Sequence, residues 1–382
     1  MNIQLLNKIA AVGLDQLDNS YNVGENVENP DGIMVRSAVM HEMEFAPSLK
    51  AIARAGAGVN NIPIERCSEN GIVVFNTPGA NANGVKELAI CALLLAARDV
   101  VGGIAWANTL TEDVAKQVEK GKSKFGGTEL MGKTLGVIGL GAIGGKIANT
   151  AIHLGMNVIG CDPFLSIEGA WNLNHRVSRA ATYDEVFEKA DYITLHVPAT
   201  KETKNMICAE SIEKMKDGVK IINLSRADLV NAAELKAALA EGKVSAYVTD
   251  FPTEEVINTP GVVAIPHLGA STEESEDNCA VMAARELDDY LKNGNIKNSV
   301  NYPNVEMPRS GVARICVLHQ NVPSILTKIT AAVADEGLNI ENMTNKSKGE
   351  NAYTVLDVSS TPSEDAIARI SAVEGINRVR VI

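Results

Sequence analysis

The 382-residue sequence lacks an excess of basic residues, and its formal net charge is −12 at pH 7. Binding to a nucleic-acid backbone requires clustered lysine and arginine. We therefore expect no nucleic-acid partner. A small anionic ligand is compatible with this charge only in a pocket that is locally basic.

Closely spaced cysteines are also missing. The six cysteines are Cys67, Cys91, Cys161, Cys208, Cys279 and Cys316. Their wide spacing suits a reducing compartment and argues against a disulfide framework or a zinc site. We expect no metal.

Long apolar runs are absent as well. The longest, Leu88 to Ala97, is about half of a membrane span and is followed by Arg98 and Asp99, so it predicts a buried helix. No basic segment with an apolar core stands at the N-terminus. We therefore expect no export signal, no membrane partner and a cytoplasmic location. The length predicts two or three domains.

A glycine motif follows an apolar strand pattern in the middle of the chain. Leu135 to Ile138 predicts a buried parallel strand, and Gly139, Gly141 and Gly144 follow as Gly-x-Gly-x-x-Gly. Such glycines permit a tight turn, close approach of backbone to a pyrophosphate and close helix packing. A helical pattern then runs to Gly155. The alternative is a glycine-rich loop that only lets a helix pack closely on a sheet.

Asp162, at the end of the next predicted strand, favours the first interpretation. A carboxylate at this place accepts hydrogen bonds from the adenine ribose and repels a 2′-phosphate. We therefore predict a dinucleotide site for NAD rather than NADP.

Strand and helix patterns alternate on both sides of this motif. Residues 1–80 alternate short apolar runs with polar turns, and helices are predicted over 83–98 and 100–120. The alternation continues to a last helix over 272–292. Alternation this regular predicts parallel sheets covered by helices. The predicted fold class is α/β, with two Rossmann-like, doubly wound domains.

The C-terminal part has a different pattern. Residues 296–310 lack periodicity and contain two prolines, which predicts a linker. Residues 311–382 then read as strand, helix, strand, strand, helix, strand, which predicts a ferredoxin-like βαββαβ module. Because so small a module often needs a partner, we expect pairing between chains.

Three polar residues follow predicted strands downstream of the glycine motif: Arg226, Glu254 and His267. The carboxyl ends of parallel strands form the edge where ligands of doubly wound folds bind. Each residue also has a simpler interpretation. Arg226 could form a surface ion pair, Glu254 could be solvated, and His267 could be structural.

Together these residues predict a hydride-transfer site. Arg226 can bind the carboxylate of a 2-hydroxy acid with two parallel hydrogen bonds. His267 can accept the hydroxyl proton, because imidazoles exchange protons near neutral pH. Glu254 can hold the imidazole in one tautomer and stabilise its cation.

These residues lie within longer stretches that resemble the D-isomer-specific 2-hydroxyacid dehydrogenases, and among them the members that act on 3-phosphoglycerate in serine biosynthesis. The resemblance covers nearly the whole chain. The stretches are 35–37, 53–58, 76–78, 137–144, 161–163, 196–198, 225–226, 251–254 and 266–271. The C-terminal module resembles the amino-acid-binding ACT domain that this family often carries.

The resemblance implies NAD-dependent oxidation of 3-phosphoglycerate, with Arg226, Glu254 and His267 as the catalytic residues. It implies that Arg54 and the loop Asn76 to Asn81 lie over the substrate. The residues that it places along NAD are Thr77, Gly139, Gly141, Ala142, Ile143, Gly144, Asp162, Val197, Leu224, Ser225, Arg226, Asp250, His267, Gly269 and Ala270.

The chain departs from the family pattern near the nicotinamide. Alignment of Phe251 to Glu254 puts Thr249 where the family usually has the aspartate that receives the carboxamide, and Asp250 falls one residue later. Either Asp250 reaches the carboxamide through a local shift, or Thr249 replaces the aspartate. Residues 225–228, Ser-Arg-Ala-Asp, also replace a more frequent Ala-Arg-Gly-Gly, which stiffens that loop.

A phosphorylated substrate requires further cations, and the candidates are Arg36, Arg54, Lys122 and Lys124. Each could instead be a solvated surface charge. If they do not converge, a smaller substrate such as hydroxypyruvate or glyoxylate is the better expectation. The alternative from another class is a non-catalytic protein that binds NAD and senses an amino acid.

The resemblance also implies domain limits. Residues 1–97 and 283–305 would form a substrate-binding domain, 98–282 the NAD-binding domain, and 311–382 the ACT-like regulatory domain. We expect a homodimer or a homotetramer.

An effector site is implied in the C-terminal module. In related modules the positions of His319, Asn321 and Asn339 hold an amino acid between two chains, and serine is the natural candidate. The alternative is that these residues only cap and turn the chain, as asparagine often does.

Overall fold

A computed structural model describes all residues, Met1–Ile382. The chain divides into two compact units. One comprises Met1–Ala80 and Glu276–Ile382, and the other comprises Asn81–Ser275.

The N-terminal part of the first unit is a five-stranded sheet. Its elements are β1 (Asn2–Leu5), α1 (Ala11–Leu14), β2 (Asn22–Gly24), β3 (Gly32–Val35), β4 (Ala51–Arg54), α2 (Ile64–Glu69) and β5 (Val73–Phe75). The strand order is β2-β1-β3-β4-β5, and every pairing is parallel. All residues of β3 and β5 are buried, as expected for apolar strands covered on both faces.

The second unit is built on a seven-stranded parallel sheet. Its strands are β6 (Thr134–Ile138), β7 (Asn157–Cys161), β8 (Val177–Arg179), β9 (Tyr192–Leu195), β10 (Val219–Asn223), β11 (Val244–Thr249) and β12 (Val262–Ala264). The order is β12-β11-β10-β9-β6-β7-β8. The direction of the order reverses at β6, and ligands of open α/β sheets bind at such a point. The predicted α/β class with two parallel, Rossmann-like sheets is confirmed.

Helices cover this sheet. They are α3 (Ala82–Ala97), α4 (Val100–Ala107), α5 (Val114–Gly121), α6 (Ala142–His153), α7 (Ile167–Trp171), α8 (Tyr183–Lys189), α9 (Ala209–Lys214) and α10 (Ala232–Ala240). The single helix predicted over 100–120 is therefore wrong, because residues 108–113 separate α4 from α5. Two short 3-10 turns, Lys122–Phe125 and Ala227–Leu229, complete the unit.

Helix α3 is the long apolar helix that the sequence predicts. Its buried residues Ala89, Ala92 and Leu93 share a core with Ala148 and Ile152 of α6. No single helix of the chain is long and apolar enough to span a membrane, and α3 and α4, which reach that length only together, are bent by 73° at their junction.

Helix α3 belongs to the second unit, although the predicted domain limit lies after it. The prediction placed residues 1–97 in the first domain, whereas the first unit ends at Ala80 and resumes at Glu276. The difference arises because the small side chains of α3 pack on the sheet of the second unit.

The chain continues through a long helix into an antiparallel sheet. The elements are α11 (Glu273–Asn293), β13 (Ala313–Gln320), α12 (Ile325–Asp335), β14 (Ile340–Lys348), β15 (Asn351–Val358), α13 (Glu364–Ser371) and β16 (Ile376–Val381). The strand order is β14-β15-β13-β16, and all pairings are antiparallel. The predicted succession βαββαβ is therefore present, although the sheet belongs to the same unit as β1–β5.

The C-terminal sheet is docked on the end of α11. The last carbonyls of a helix have no partner within the helix. Here Arg380 Nη2 donates to the carbonyl of Leu291 at 2.9 Å, Arg314 Nη1 to that of Asn293 at 2.8 Å, and the Tyr353 hydroxyl to that of Gly294 at 2.6 Å. These side chains fix the sheet to the rest of the first unit.

Residues 296–310 are packed rather than free, which corrects the predicted linker. Tyr302 is fully buried, and its hydroxyl donates to the carbonyl of Ser68 at 2.9 Å. Asn301 accepts from the amide of Val74 and donates to the carbonyl of Ile72, each at 2.9 Å. The segment therefore covers β5, an edge strand whose backbone groups would otherwise lack partners.

Candidate functional site

The glycine motif forms the turn between β6 and α6. Gly139 has φ +88°, and a Cβ there would lie 2.5 Å from the carbonyl oxygen of His196. A Cβ at Gly144 would lie 1.9 Å from the carbonyl oxygen of Gly139. A Cβ at Gly141 would meet nothing within 4 Å, and no side chain caps the amides of α6. Open space before uncapped amides at a helix N-terminus fits a pyrophosphate.

Asp162 follows β7 and joins two loops. Its Oδ2 accepts from the amide of Leu140 and its Oδ1 from the amide of Phe164, at 2.8 and 2.9 Å. A carboxylate has about four acceptor positions, and these two bonds leave others for a ribose. The arrangement is compatible with the predicted role.

His196 supports the glycine turn from β9. Its Nε2 lies 2.7 Å from the hydroxyl of Thr194, and burial lowers its pKa to about 3. The ring is therefore neutral at physiological pH. Val197 lies beside the turn, since its Cγ1 would be 2.9 Å from a Cβ at Gly139.

Asn223 shapes the loop that carries Arg226. At the end of β10, its Oδ1 accepts from the amide of Ser225 at 3.1 Å, and its Nδ2 donates to the carbonyl of Arg226 at 2.8 Å. The Ser225 hydroxyl donates to the carbonyl of Leu195 at 2.6 Å. The guanidinium is exposed, and its one hydrogen bond runs from Nη1 to the carbonyl of Ser225.

Phe251 brings two of the predicted catalytic residues together. The guanidinium carbon of Arg226 lies 5.6 Å from the centroid of its ring, and the imidazole of His267 lies 4.4 Å from it. These residues follow β10, β11 and β12, which are neighbours in the sheet. A cation and an imidazole therefore contact the same aromatic ring at the carboxyl edge of the second unit. Nothing in the sequence analysis singled out Phe251 as the residue between them.

Glu254 is not brought to His267. The residue is exposed, and no hydrogen bond joins the two side chains. The loop turns at Thr253, whose carbonyl accepts from the amides of Val256 and Ile257, and Val256 is its buried residue. The predicted pairing is absent from this structure.

Asp250 is the carboxylate that lies beside these residues. Its side chain is 1% exposed, and its Oδ1 has no hydrogen-bond partner. Burial raises its pKa, against the opposing effects of His267, Arg226 and the amide of Gly269. The hydroxyl of Thr249, in contrast, accepts from the amide of Phe251 at 3.1 Å. Of the two alternatives for the carboxamide, Asp250 has the unused acceptor.

The first unit contains two of the proposed substrate cations. Arg54 ends β4, is partly buried and has an unpartnered Nε. Burial lowers its pKa, as does the neighbouring charge of Arg36. Arg36 Nη2 forms an ion pair with Glu276 at 2.5 Å. Thr77, predicted to contact NAD, is fully buried in the same unit.

The other proposed substrate residues belong to the second unit. Lys122 forms an ion pair with Glu119 at 2.5 Å, and Lys124 is exposed. Asn81 immediately precedes α3 and is partly exposed. Within its own unit, Lys122 thus has an acidic partner.

The three predicted effector residues do not converge within one chain. His319 is 1% exposed, and its ring nitrogens lie 2.7 Å from the carbonyl of Gln320 and 2.8 Å from the hydroxyl of Thr354. Both ring nitrogens therefore have partners within the chain, and the role of His319 as an effector ligand stays a prediction. Asn321 follows the end of β13 that pairs with the start of β15, whereas Asn339 lies at the other end of β15.

Comparison with known proteins gives consistent results. Residues 94–269 match the family model described as D-isomer specific 2-hydroxyacid dehydrogenase, NAD binding domain. The chain is 36% identical over 324 residues to the D-3-phosphoglycerate dehydrogenase of Methanocaldococcus jannaschii, covering 82% of this chain and 59% of the relative. It is 31% identical over 367 residues to that of Haemophilus influenzae, covering 92% and 86%. The chain thus spans little more than half of the first relative's length.

A solved structure agrees. The NAD+-bound 3-phosphoglycerate dehydrogenase of Entamoeba histolytica matches with a TM-score of 0.60 and 30% identity. The match covers 79% of this chain and 98% of that one.

Proposed function

The chain belongs to the D-isomer specific 2-hydroxyacid dehydrogenase family, and on that premise we propose that it oxidises D-3-phosphoglycerate at C2 to 3-phosphohydroxypyruvate, using NAD. The resemblance noted in the sequence is confirmed at the level of the family. The relative from Haemophilus influenzae, of which this chain covers 86%, carries the name of that activity. The reaction would supply serine biosynthesis.

The observation that carries the proposal is the approach of Arg226 and His267 to one aromatic ring, that of Phe251. Oxidation of a 2-hydroxy acid requires a cation for the carboxylate and a base for the hydroxyl proton. Both groups stand at the edge of the sheet where doubly wound folds bind ligands. Each contacts the ring of Phe251, and neither forms an ion pair with an acid.

The residues act on the substrate in different ways. Arg226 uses one N–H for the carbonyl of Ser225, and its remaining donors would bind the carboxylate and polarise the developing carbonyl. His267 would accept the hydroxyl proton as the C2–H bond breaks. Glu254 stays a candidate for stabilising the resulting imidazolium, because hydrogen bonds of a catalytic site often tighten only in the complex.

The second unit has the features that NAD requires. Gly141 and the amides of Ala142 and Ile143 would hold the pyrophosphate, Asp162 the ribose, and Asp250 the carboxamide. When bound, NAD supplies the acceptor of the hydride. The unpartnered Oδ1 of Asp250 supports this assignment, because a carboxamide N–H would satisfy it.

We also propose that residues 311–382 form a ferredoxin-like, ACT-type module that binds an amino acid, with serine as the candidate. The order β14-β15-β13-β16 and the βαββαβ succession support this assignment. Because Asn321 and Asn339 lie at opposite ends of β15, a site that uses both requires two chains. The module would then act in a homodimer or homotetramer.

The test is the formation of NADH, followed by absorbance, with D-3-phosphoglycerate and with unphosphorylated D-2-hydroxy acids. We expect kcat/KM for D-3-phosphoglycerate to exceed the others at least tenfold, and serine to lower the rate. The ion pair of Lys122 with Glu119 leaves fewer free cations for a phosphate. If NADH reduces glyoxylate or hydroxypyruvate with a higher kcat/KM than 3-phosphohydroxypyruvate, the chain acts on a smaller substrate. Binding of NAD without turnover of any substrate would favour a sensing protein.

A further inference from the structure

A cavity of about 520 Å³ lies in the first unit, next to the C-terminal sheet. Its walls come from Asn76 and Pro78 after β5, from residues 298–300 and 303–304, and from residues 346–348 at the end of β14. None of these residues takes part in the site described above, except that Asn76 begins the loop predicted to lie over the substrate. The cavity is open to solvent on one side, and Lys346 at its edge is exposed.

The lining is basic. Lys346 and Lys348 are two residues apart on an edge strand, so their side chains lie on the same face of the sheet. Lys348 Nζ donates to the carbonyl of Ser299 at 2.8 Å, and burial lowers the pKa of this lysine. Lys346 lines the same cavity and has neither an ion pair nor a side-chain hydrogen bond. No carboxylate is among the ten lining residues.

Hydrogen-bond donors complete the lining. Asn304 adds an amide group to the lining, and Asn298 lines it as well, although its Nδ2 already donates to Glu286 at 2.7 Å. Two ammonium groups near each other without an acid repel, and an anion between them removes that repulsion. The chain as a whole carries a net charge of −12, so this local excess of positive charge runs against the overall balance.

We propose that this cavity binds a small dianion, whose two charges are carried on one phosphate or on two carboxylates. Lys346 and Lys348 neutralise the charges, and the amides donate hydrogen bonds to the remaining oxygens. The site differs from the amino-acid site suggested for the C-terminal module, since it uses neither Asn321 nor Asn339.

The cavity is connected to the loop after β5. The amide of Asn76 donates to the carbonyl of Asn298 at 3.3 Å, and Asn298 Nδ2 donates to Glu286 at 2.7 Å. An anion between the lysines and these asparagines would restrict the chain immediately before Thr77. Any effect on turnover rests on the proposed function, whereas binding of the anion does not.

The experiment is calorimetric titration of the full chain with inorganic phosphate and, separately, with succinate. We expect at least one probe to bind, and Lys346→Ala to weaken that binding tenfold or more. Lys328→Ala serves as the control, because this exposed lysine on α12 has no ion pair and does not line the cavity. Arg54→Ala identifies any phosphate that binds among the proposed substrate residues, since only that binding should depend on Arg54.

Hydrogen exchange gives a readout that is independent of catalysis. The bound probe should slow amide exchange in residues 76–81 and 298–304 of the parent chain and of Lys328→Ala, but not of Lys346→Ala. The proposal is wrong if neither probe binds, or if Lys346→Ala leaves the affinity and the number of sites unchanged. If the parent chain does not turn over D-3-phosphoglycerate but still binds a probe through Lys346, only the proposed function is contradicted.

Discussion

At the scale of the residue, the informative feature is a buried polar atom without a partner. A buried acceptor that lacks a hydrogen bond costs about 1–3 kcal/mol. The Oδ1 of Asp250 carries this cost next to His267 and Arg226. Perturbed ionisable groups in such positions concentrate at functional sites. The cost is explained if a ligand donates to Asp250 when it binds.

The first prediction concerns His267. Replacement by alanine is expected to lower kcat by about 10²–10⁴-fold, because the hydroxyl proton then lacks a positioned acceptor. Binding of NAD should be retained, since the glycine turn and Asp162 do not involve the imidazole. The NADH assay and calorimetric titration with NAD measure the two effects.

The matched control for this variant is His153→Ala. His153 is exposed and ends α6 in the same unit, so its loss should leave kcat within twofold. Near-normal turnover in His267→Ala would remove the imidazole from the mechanism. Loss of NAD binding would instead show that His267 is needed for the cofactor site.

At the scale of the element, local pattern predicted much of the fold. Asn231 caps α10 by accepting from the amide of Glu234 at 3.3 Å, a role that asparagine commonly has at the start of a helix. Gly155 and Gly294 end α6 and α11 with φ of +79° and +73°, conformations that favour glycine. Caps and periodicity are local, so one sequence reveals them.

Packing between distant segments was not predicted. Residues 296–310 have no periodicity and were expected to be a linker, but Asn301 and Tyr302 are buried against Ile72 and Ser68, more than 200 residues away in sequence. Periodicity reports regular elements and carries no information on such contacts. The same limit explains why the sequence does not reveal that α3 packs on the sheet of the second unit.

The candidate site divides in the same way. Arg226 and His267 could be placed together because the ends of neighbouring parallel strands share an edge. The exposure of Glu254 and the burial of Asp250 depend on the path of one loop, 250–256. No sequence period describes that path, so the sequence leaves the choice between Thr249 and Asp250 open, and the unpartnered Oδ1 of Asp250 supports only one of the two as a proposal.

The second prediction concerns the docking of the C-terminal sheet on α11. Arg314 is fully buried and binds Asp357 with two hydrogen bonds, of 2.6 and 2.9 Å. Arg314→Met leaves that buried carboxylate without a cation, with only the amide and hydroxyl of Ser310 as donors, and should destabilise the first unit by about 3–5 kcal/mol. Thermal unfolding followed by calorimetry measures the loss.

Two further variants make this prediction specific. Arg309→Met is the control, because Arg309 is exposed and donates to a single terminal carbonyl, and it should change stability by less than about 1 kcal/mol. Combining Arg314→Met with Asp357→Leu should restore part of the stability, since no unpaired charge remains. Equal effects of Arg314→Met and Arg309→Met would contradict the assigned role.

At the scale of the whole molecule, two buried groups give the stability opposite dependences on pH. Burial lowers the pKa of His196 from 6.5 to about 3 and raises that of Glu286 from 4.5 to about 8. Between pH 3 and 6.5 His196 is protonated in the unfolded chain and neutral in the folded chain, so the free energy of unfolding rises with pH. Between pH 4.5 and 8 Glu286 is protonated in the folded chain and ionised in the unfolded chain, so the free energy of unfolding falls as pH rises. These two groups therefore favour a stability maximum in mildly acidic solution.

The third prediction follows from Glu286, whose Oε1 accepts from Asn298 while its Oε2 has no partner. Glu286→Gln keeps the acceptor and cannot ionise, so it should stabilise the first unit by roughly 1–3 kcal/mol at pH 8 and by much less at pH 5. Because the chain has two units, the unfolding midpoint of each must be followed separately by calorimetry across this range. Glu306→Gln, at an exposed position in the same unit, should show no such gain. A gain that is equal at pH 5 and pH 8 would mean that Glu286 binds no more proton in the folded chain than in the unfolded chain, which would contradict the raised pKa on which this prediction rests.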